Sequence, residues 1–174
     1  MGLFKRRRLA PERRPSLDAD ERIVAWAGAL GDDVVVVTNL GLWLPDAGER
    51  LGWHEIHKAT WSGRQLALVA AREVAEVGDY AVMEDLPALV ITLLDPDHVP
   101  EQVRTRVNRS VAYTSHHPLP DGGGVRVVGR RVSGLNGLRW TVRYDEGSDR
   151  EAPGVAEVTG EVVAQARVSA GGPS

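Results

Sequence analysis

His54-Glu55-Ile56-His57 is the segment of this chain that comes closest to a metal-binding motif. Zinc proteases carry H-E-x-x-H on a helix, so that both imidazoles share one face, and here the second histidine comes one residue early. Residues 50–57 alternate as a β-strand does, and on a strand His54 and His57 point to opposite faces. The spacing therefore predicts an ordinary strand and no metal site.

Two other polar pairs also favour structural roles. His116 and His117 precede Pro118 without a third ligand nearby, and they are interpreted as solvated histidines in a loop. Asp95 and Asp97 come just before a predicted helix, where carboxylates stabilise exposed backbone amides. We therefore expect helix capping here rather than cation binding.

The sequence contains no motif typical of a catalytic nucleophile or of a cofactor-binding site. The chain has no cysteine, which excludes thiolate zinc sites and cysteine nucleophiles. It has no G-x-S-x-G elbow, no phosphate-binding loop and no dinucleotide fingerprint. The sequence predicts a protein that is not an enzyme, with no catalytic residues, no cofactor, no metal and no evident small-molecule substrate.

Tryptophan is the chain's main large aromatic residue, with five tryptophans against one phenylalanine. Most are expected in the core. Trp43 alternates with Leu42 and Leu44, so one side of that strand faces outward unless both faces are covered. Arg139 and Arg143 lie opposite the apolar face of a later strand. Trp43, Arg139 and Arg143 are therefore predicted as a partner surface.

Charge is distributed unevenly along the chain. Residues 1–14 carry six cations and one carboxylate, a net of +5, so the rest carries −8 of the total −3. An acidic body disfavours nucleic-acid binding. The basic arm predicts weak contact with an anionic membrane surface, with a solvated arm as the alternative. The residues expected to make that contact are Phe4, Lys5, Arg6, Arg7 and Arg8.

Localisation is predicted from what the chain lacks. No apolar stretch follows the basic residues, so the N-terminus is not interpreted as a signal peptide. The longest aliphatic run, residues 34–37, is far shorter than the roughly 20 residues of a membrane span. We expect a cytoplasmic protein, with peripheral association at the membrane as an alternative.

Short strands separated by turn residues dominate the first half. Apolar and β-branched residues predict an antiparallel meander, with the most apolar strand at its centre. Residues 72–87 are ambiguous, because 73–77 could form an edge strand. The predicted strands are residues 23–27, 34–38, 42–44, 50–57, 59–61, 65–69 and 88–94.

The second half predicts two helices and a hairpin. A helix starts near Asp97 or His98 and runs to about Tyr113, with one apolar face. Residues 125–128 and 138–144 should pair through a turn at Asn136-Gly137. A final helix over 153–168 offers an apolar stripe, which is predicted to cover the Trp140 face of the hairpin or to pack on the first-half sheet.

The strand order over residues 21–113, about seven antiparallel strands followed by one helix, resembles the pleckstrin-homology-like (PH-like) barrel. The similarity is carried by residues 36–44 and 50–61, with Trp43, Trp53 and Trp61. It is closest to an uncharacterised actinobacterial branch of that group. The resemblance implies a binding scaffold, but it assigns no functional residues. Asp32 and Asp33, in the first loop, stand where a phosphate site would need cations.

The expected architecture is therefore α+β, with an antiparallel PH-like barrel, a capping helix and a C-terminal hairpin and helix. The predicted units are a disordered basic tail (1–16), the barrel with its helix (17–115), the hairpin and helix (116–168) and a disordered end (169–174). The predicted function is a non-enzymatic interaction or scaffold module that binds a protein partner. The alternative is a peripheral membrane or anion-tethered protein that acts through its arm.

Overall fold

The computed structural model describes residues 7–45 and 48–171, and these form an α+β fold. The first four strands make one antiparallel sheet in the order β1-β2-β3-β4. Thr38 fixes the turn between the second and third strands, because its hydroxyl accepts hydrogen bonds from the amides of Leu40 and Gly41, both at 3.1 Å. The strands are Ile23–Ala29 (β1), Asp33–Thr38 (β2), Gly41–Trp43 (β3) and Arg50–Gly52 (β4).

The other seven strands form a curled mixed sheet. Six of them follow the order β5-β6-β7-β11-β10-β9, and β8 pairs with the first part of β6. The β11 and β7 strands are parallel, and the other neighbours are antiparallel. The strands are Ile56–Ser62 (β5), Gln65–Val77 (β6), Tyr80–Asp85 (β7), Leu89–Thr92 (β8), Val111–Pro118 (β9), Gly124–Arg130 (β10) and Arg139–Tyr144 (β11).

The first core lies between these sheets under the helix Val99–Ser110 (α1). Three valines of α1 at helical spacing, Val99, Val103 and Val107, pack against the aliphatic residues of β1, β2, β6 and β8. An isolated bridge between Ala29 and Leu93 connects the end of β1 to the residue after β8. The first sheet and the curled sheet therefore approach each other along this edge.

The second core lies under the helix Val155–Gly171 (α2). Trp140 and Val142 of β11 share this core with Val155 and Val163 of α2, so the predicted packing of the last helix on the hairpin face is confirmed. The ring of Tyr113 stands 5.5 Å from that of Trp140, centroid to centroid. Within the described ranges, neither α1 nor α2 is long and apolar enough to cross a membrane.

The N-terminal arm lies against the first sheet from residue 7 onward. Leu9 is only 3% exposed. Two arginines of the arm form ion pairs, Arg7 with Asp95 and Arg13 with Asp32. Of the predicted disordered tail, residues 1–16, the structure describes residues 7–16, which the buried Leu9 and the Arg13–Asp32 ion pair place against the first sheet. At the other end, residues 169–171 continue α2.

Residues 50–57 do not form the single strand predicted from their alternation. The β4 strand ends at Gly52, Trp53–Glu55 form a 3₁₀ turn, and β5 begins at Ile56. The turn is held by the Glu55 carboxylate, which accepts a hydrogen bond from the Gly52 amide at 2.7 Å. This local bond ends the two-residue period from which opposite orientations of His54 and His57 were predicted, and both histidines line one cavity.

The first helix is shorter than predicted, because α1 ends at Ser110 and residues 111–118 form β9. The side chains of β9 alternate between half-buried and exposed, as expected of a strand with one wet face. His116 and His117 therefore lie on a strand and not in the predicted loop. The predicted pairing of β10 with β11 is confirmed.

The connection between those two strands is not the predicted two-residue turn. Arg130 pairs with Arg139, which leaves residues 131–138 as an eight-residue loop. The amide of Arg131, the first residue of this loop, donates to the carbonyl of Ser110 at 2.8 Å, at the end of α1. The strand predicted to be central, β8, is only four residues long, and Leu89 and Val90 are exposed.

The second core predicts a sharp difference between two valines of α2. Val163 is 3% exposed and Val168 is 78% exposed. Val163→Asp should lower the free energy of unfolding by about 3 kcal/mol or more, because it buries an unpaired carboxylate. Urea denaturation and the binding of a hydrophobic dye measure the effect.

Val168→Asp is the matched control, and it should change the free energy of unfolding by less than about 0.5 kcal/mol.

Removal of residues 150–174 should uncover the Trp140 face and increase dye binding or aggregation. A truncated protein that remains monomeric and as stable as the intact chain would contradict the assignment of α2 to this core.

Candidate functional site

Two openings flank the 3₁₀ turn Trp53–Glu55, and together they form the candidate site. The turn is anchored to the first sheet by the Trp53 indole, whose Nε1 donates to the carbonyl oxygen of Thr38 at 3.2 Å. His54 and Glu55 line both openings. We call them the arginine groove, which lies beside α1, and the Arg130 cavity, which lies against the curled sheet.

The arginine groove encloses about 290 Å³ between α1, the 3₁₀ turn and the start of the 131–138 loop. Arg106 and Arg109, three residues apart on α1, share one helix face. Arg131 reaches the same groove from the end of β10 and donates from Nη1 to the carbonyl of Arg109 at 2.8 Å. Three guanidinium groups therefore meet at the C-terminal end of α1.

Three of the four arginines that line the groove have no ion-pair partner in the described parts of the chain, while the fourth, Arg50, pairs with Asp18 and Glu21. Arg106, Arg109 and Arg131 form no ion pair within 4.0 Å. Burial lowers the pKa of Arg106, and the nearby charges of Arg109 and Arg22 lower it further. The C-terminal end of a helix favours cations, but only by a fraction of a kcal/mol at an exposed site. The groove therefore keeps a surplus of positive charge.

The Arg130 cavity encloses about 420 Å³ on the other side of the turn. Its walls come from β5, β6, β7, β10 and β11. Arg130 is 5% exposed and Thr141 is also buried, while Arg139 and its ion-pair partner Glu73 stand at the more exposed end. The lining residues are His54, Glu55, His57, Ala71, Arg72, Glu73, Met83, Arg130, Arg139 and Thr141.

Arg130 is a buried cation without a counter-ion among the described residues. Its Nη1 donates to the hydroxyl of Ser110 at 2.9 Å and to the carbonyl of Ile56 at 3.3 Å, but its buried Nε has no partner. Burial, helped by the charge of Arg143, lowers the pKa of Arg130 to about 10. The side chain is still protonated at neutral pH, so the fold keeps an uncompensated charge inside.

Both histidines of the cavity have pKa values below the ordinary one. For His54, burial is the main cause of the lowered pKa; the charge of Glu55 opposes it, and the charges of Arg139 and Arg130 add to it. For His57, burial again comes first, followed by Arg130, although its Nδ1 lies 2.8 Å from a carboxylate oxygen of Asp85. Both imidazoles therefore tend to be neutral near pH 7. The described residues contain no group of three or more His, Asp or Glu side chains placed to hold a metal ion.

The three residues predicted as a partner surface are not brought together. Trp43 lies on the first sheet, where its indole donates to the buried carboxylate of Glu21 at 2.9 Å. Arg139 and Arg143 lie on β11, where Arg139 pairs with Glu73 and Arg143 donates to Asp85 at 2.9 Å. Each of the three is engaged in the fold itself.

Of the five residues predicted to contact a membrane, the structure describes Arg7 and Arg8. Phe4, Lys5 and Arg6 lie outside the described residues. Arg7 pairs with Asp95 and lies over the Trp26 ring, 4.7 Å from its centroid. Arg8 is exposed.

The other polar pairs form local contacts. His116 lies 2.7 Å from an Asp145 oxygen, and His117 2.9 Å from the Ser115 hydroxyl. The capping expected of Asp95 and Asp97 is wrong, because the cap position of α1 is His98 and no side chain bonds there.

Sequence reasoning did not identify the groove or the cavity. Their residues are spread over α1, β10 and β11, and only the three-residue spacing of Arg106 and Arg109 on a predicted helix signals a shared basic face. Nothing in the sequence marks Arg130 as buried, since arginine is usually exposed. Comparisons with protein-family models, with curated proteins and with solved structures found no match.

The lowered pKa values of His54 and His57 predict that stability falls with acidification. Below the ordinary histidine pKa of about 6.5, His54 and His57 are protonated in the unfolded chain before they are protonated in the folded chain, so acid favours the unfolded chain. The free energy of unfolding should therefore be highest above about pH 6.5 and should fall as the pH drops below it. Urea denaturation at pH 7.5, 6.5 and 5.5 measures this slope.

The double variant His54→Asn with His57→Asn should show a shallower slope over this range, whereas His98→Asn, at an exposed position, should not. An unchanged slope in the double variant would contradict the assignment of this pH dependence to His54 and His57.

Glu21 affects stability in a separate, more acidic pH range. Burial raises the pKa of its carboxyl group, but hydrogen bonds from Thr38 and Trp43 and the charge of Arg50 outweigh this effect and lower the pKa.

Proposed function

We propose that this chain is a non-enzymatic interaction module that holds an acidic segment of a protein partner in the arginine groove. The observation that carries the proposal is that Arg106, Arg109 and Arg131 line one groove, with Glu55 as its one lining carboxylate and no ion pair to any of the three among the described residues, in a chain of net charge −3. Clusters of arginine are suited to carboxylate recognition because the guanidinium can donate two parallel hydrogen bonds.

The scaffold proposed for this module is a PH-like barrel. Support comes from the order of the strands, in which β1 to β4 are followed by β5, β6 and β8. The amide of Leu30 donates to the carbonyl of Thr92 at 3.1 Å, and the amide of Leu94 donates to the carbonyl of Gly28 at 2.8 Å. The end of β8 and the residues after it are therefore hydrogen-bonded to the end of β1. The α1 helix packs over the enclosed core, as the capping helix of such a barrel would.

A protein segment fits the groove better than a nucleic acid does. The groove is small, and the chain as a whole is acidic, so a long polyanion would be repelled outside the groove. A short acidic segment would meet only the local positive charge. Leu40 and Trp53 also line the groove, which favours a segment that carries an apolar residue beside its carboxylates.

Arg104 and Arg109 are both exposed on α1, but only Arg109 lines the arginine groove. Arg109→Glu should weaken the binding of a fluorescent acidic decapeptide, rich in Glu with one Leu, by about tenfold or more, because charge-assisted hydrogen bonds contribute about 1.5–3 kcal/mol. Fluorescence anisotropy at two salt concentrations measures the affinity. Arg104→Glu makes the same charge change on the same helix outside the groove, and it should retain near-normal affinity.

Equal losses in the two variants would show that the peptide responds to net charge and not to the groove. Tighter binding of a ten-nucleotide single-stranded DNA than of the acidic peptide would contradict the choice of a protein segment. Binding of neither probe to the intact chain would remove the proposal.

The alternative proposed function, peripheral membrane association through the arm, gains support from an apolar patch. Leu30 and Leu94 are 60% and 50% exposed, and Val90, on the neighbouring β8, is 52% exposed. Asp95, the partner of Arg7, follows Leu94 directly, so the arm runs beside this patch. Exposed aliphatic groups next to cations suit an anionic lipid surface.

This alternative predicts that the intact chain sediments with vesicles of phosphatidylserine and phosphatidylcholine. Replacement of Arg6, Arg7 and Arg8 by alanine should abolish sedimentation, since each cation near such a surface contributes about 1 kcal/mol. The control replaces three other arginines, Arg104, Arg126 and Arg150, so the net charge change is the same. Equal recovery of both triple variants would end the alternative.

A further inference from the structure

The buried guanidinium of Arg130 has an unused edge. Both hydrogen bonds that it makes come from Nη1, and its Nε has no partner. Nε and Nη2 together form the edge with which arginine can donate two parallel bonds to an oxyanion, and in this fold its Nε is enclosed, with almost no accessible surface. The residue lines a cavity whose volume of about 420 Å³ lies within the range of small-ligand sites.

The cavity supplies further donors and little negative charge that is free. Thr141 is buried in its wall, and the half-exposed Arg139 stands at its open end. Of the two lining carboxylates, Glu55 accepts the Gly52 amide and Glu73 pairs with Arg139. An anion inside would therefore meet the uncompensated charge of Arg130, with Glu55 as the one lining carboxylate that has no ion pair among the described residues.

A buried charge without a partner lowers the stability of the fold. An ion moved out of water loses solvation energy that only a counter-charge or good hydrogen bonds replace. Within residues 7–45 and 48–171, Arg130 has no ion pair, and its two acceptors are neutral oxygens. A ligand that brings negative charge into the cavity would offset this cost.

We propose that the Arg130 cavity binds a tetrahedral oxyanion, either a free ion or the phosphoryl group of a larger ligand, with Arg130 as its buried anchor. Thr141 and the neutral imidazoles of His54 and His57 offer further hydrogen-bonding groups in the wall. This site is separate from the arginine groove on the other side of the 3₁₀ turn.

The experiment titrates the ¹⁵N-labelled full chain with inorganic phosphate, sulfate and phenyl phosphate at pH 7, with sodium chloride keeping the ionic strength constant. The Arg130 Nε–H resonance should shift in a saturable manner with the oxyanions and not with chloride. Saturation by phenyl phosphate would identify a phosphoryl group of a larger ligand. Saturation by the inorganic ions alone would identify a free oxyanion, and both results support the site.

Arg130→Met should raise the dissociation constant at least tenfold, as followed on the amide resonances of the cavity. Arg126→Met removes the same charge from β10 outside the cavity and should leave binding unchanged. Should Arg130→Met fail to fold, Arg130→Lys serves instead, because it keeps the charge but lacks the two-donor edge, and it should weaken binding by about tenfold.

Arg109→Glu separates this proposal from the proposed function, because it should weaken binding of the acidic peptide and leave the Arg130 Nε–H shift intact. An Nε–H resonance that does not move, or moves linearly and equally with chloride, would overturn the proposal. So would an oxyanion affinity that Arg126→Met lowers as much as Arg130→Met.

Discussion

The thirteen-residue strand β6 is the constraint on which the rest of the structure depends. Its first part pairs with β5 on one side and β8 on the other, over the first core. Its second part pairs with β7, which joins β11 and so carries the sheet to the second core. Because one continuous strand serves both cores, the hairpin and α2 are bonded into the same sheet as the first half.

A register shift in β6 lies beside the Arg130 cavity. The pairing of β6 with β7 shifts register between Glu73 and Ala75, and such irregularities increase the local twist of a strand. Residues 71–73, just before this shift, line the cavity, with His57 of β5 on one side and Thr141 of β11 on the other. The cavity therefore follows from how the sheet curls, and no single motif in the sequence encodes it.

Several elements could be predicted from local patterns. Runs of β-branched and apolar residues between turn residues located β1 and β2, and alternation located β11. Alternation failed at Trp53–Glu55, where a local hydrogen bond from the Gly52 amide to Glu55 makes a turn, and the helical pattern failed after Ser110, where pairing with β10 makes a strand. The parallel pairing of β7 with β11 joins residues about 60 positions apart, and no local pattern signals it. The arginines of the candidate site were not identified for the same reason.

Two buried charges in this chain are treated in opposite ways, and the contrast gives Arg130 its significance. Glu21 is buried too, but it accepts hydrogen bonds from Thr38, Trp43 and Arg50 at 2.6–2.9 Å, so its charge is fully compensated. Arg130 is buried to a similar degree and has only neutral acceptors. A sequence that stabilises one buried charge with three donors is able to provide counter-groups where stability requires them. Since a leucine or methionine at position 130 would avoid the desolvation cost altogether, the retained guanidinium is best explained by a negative charge that arrives from outside the chain.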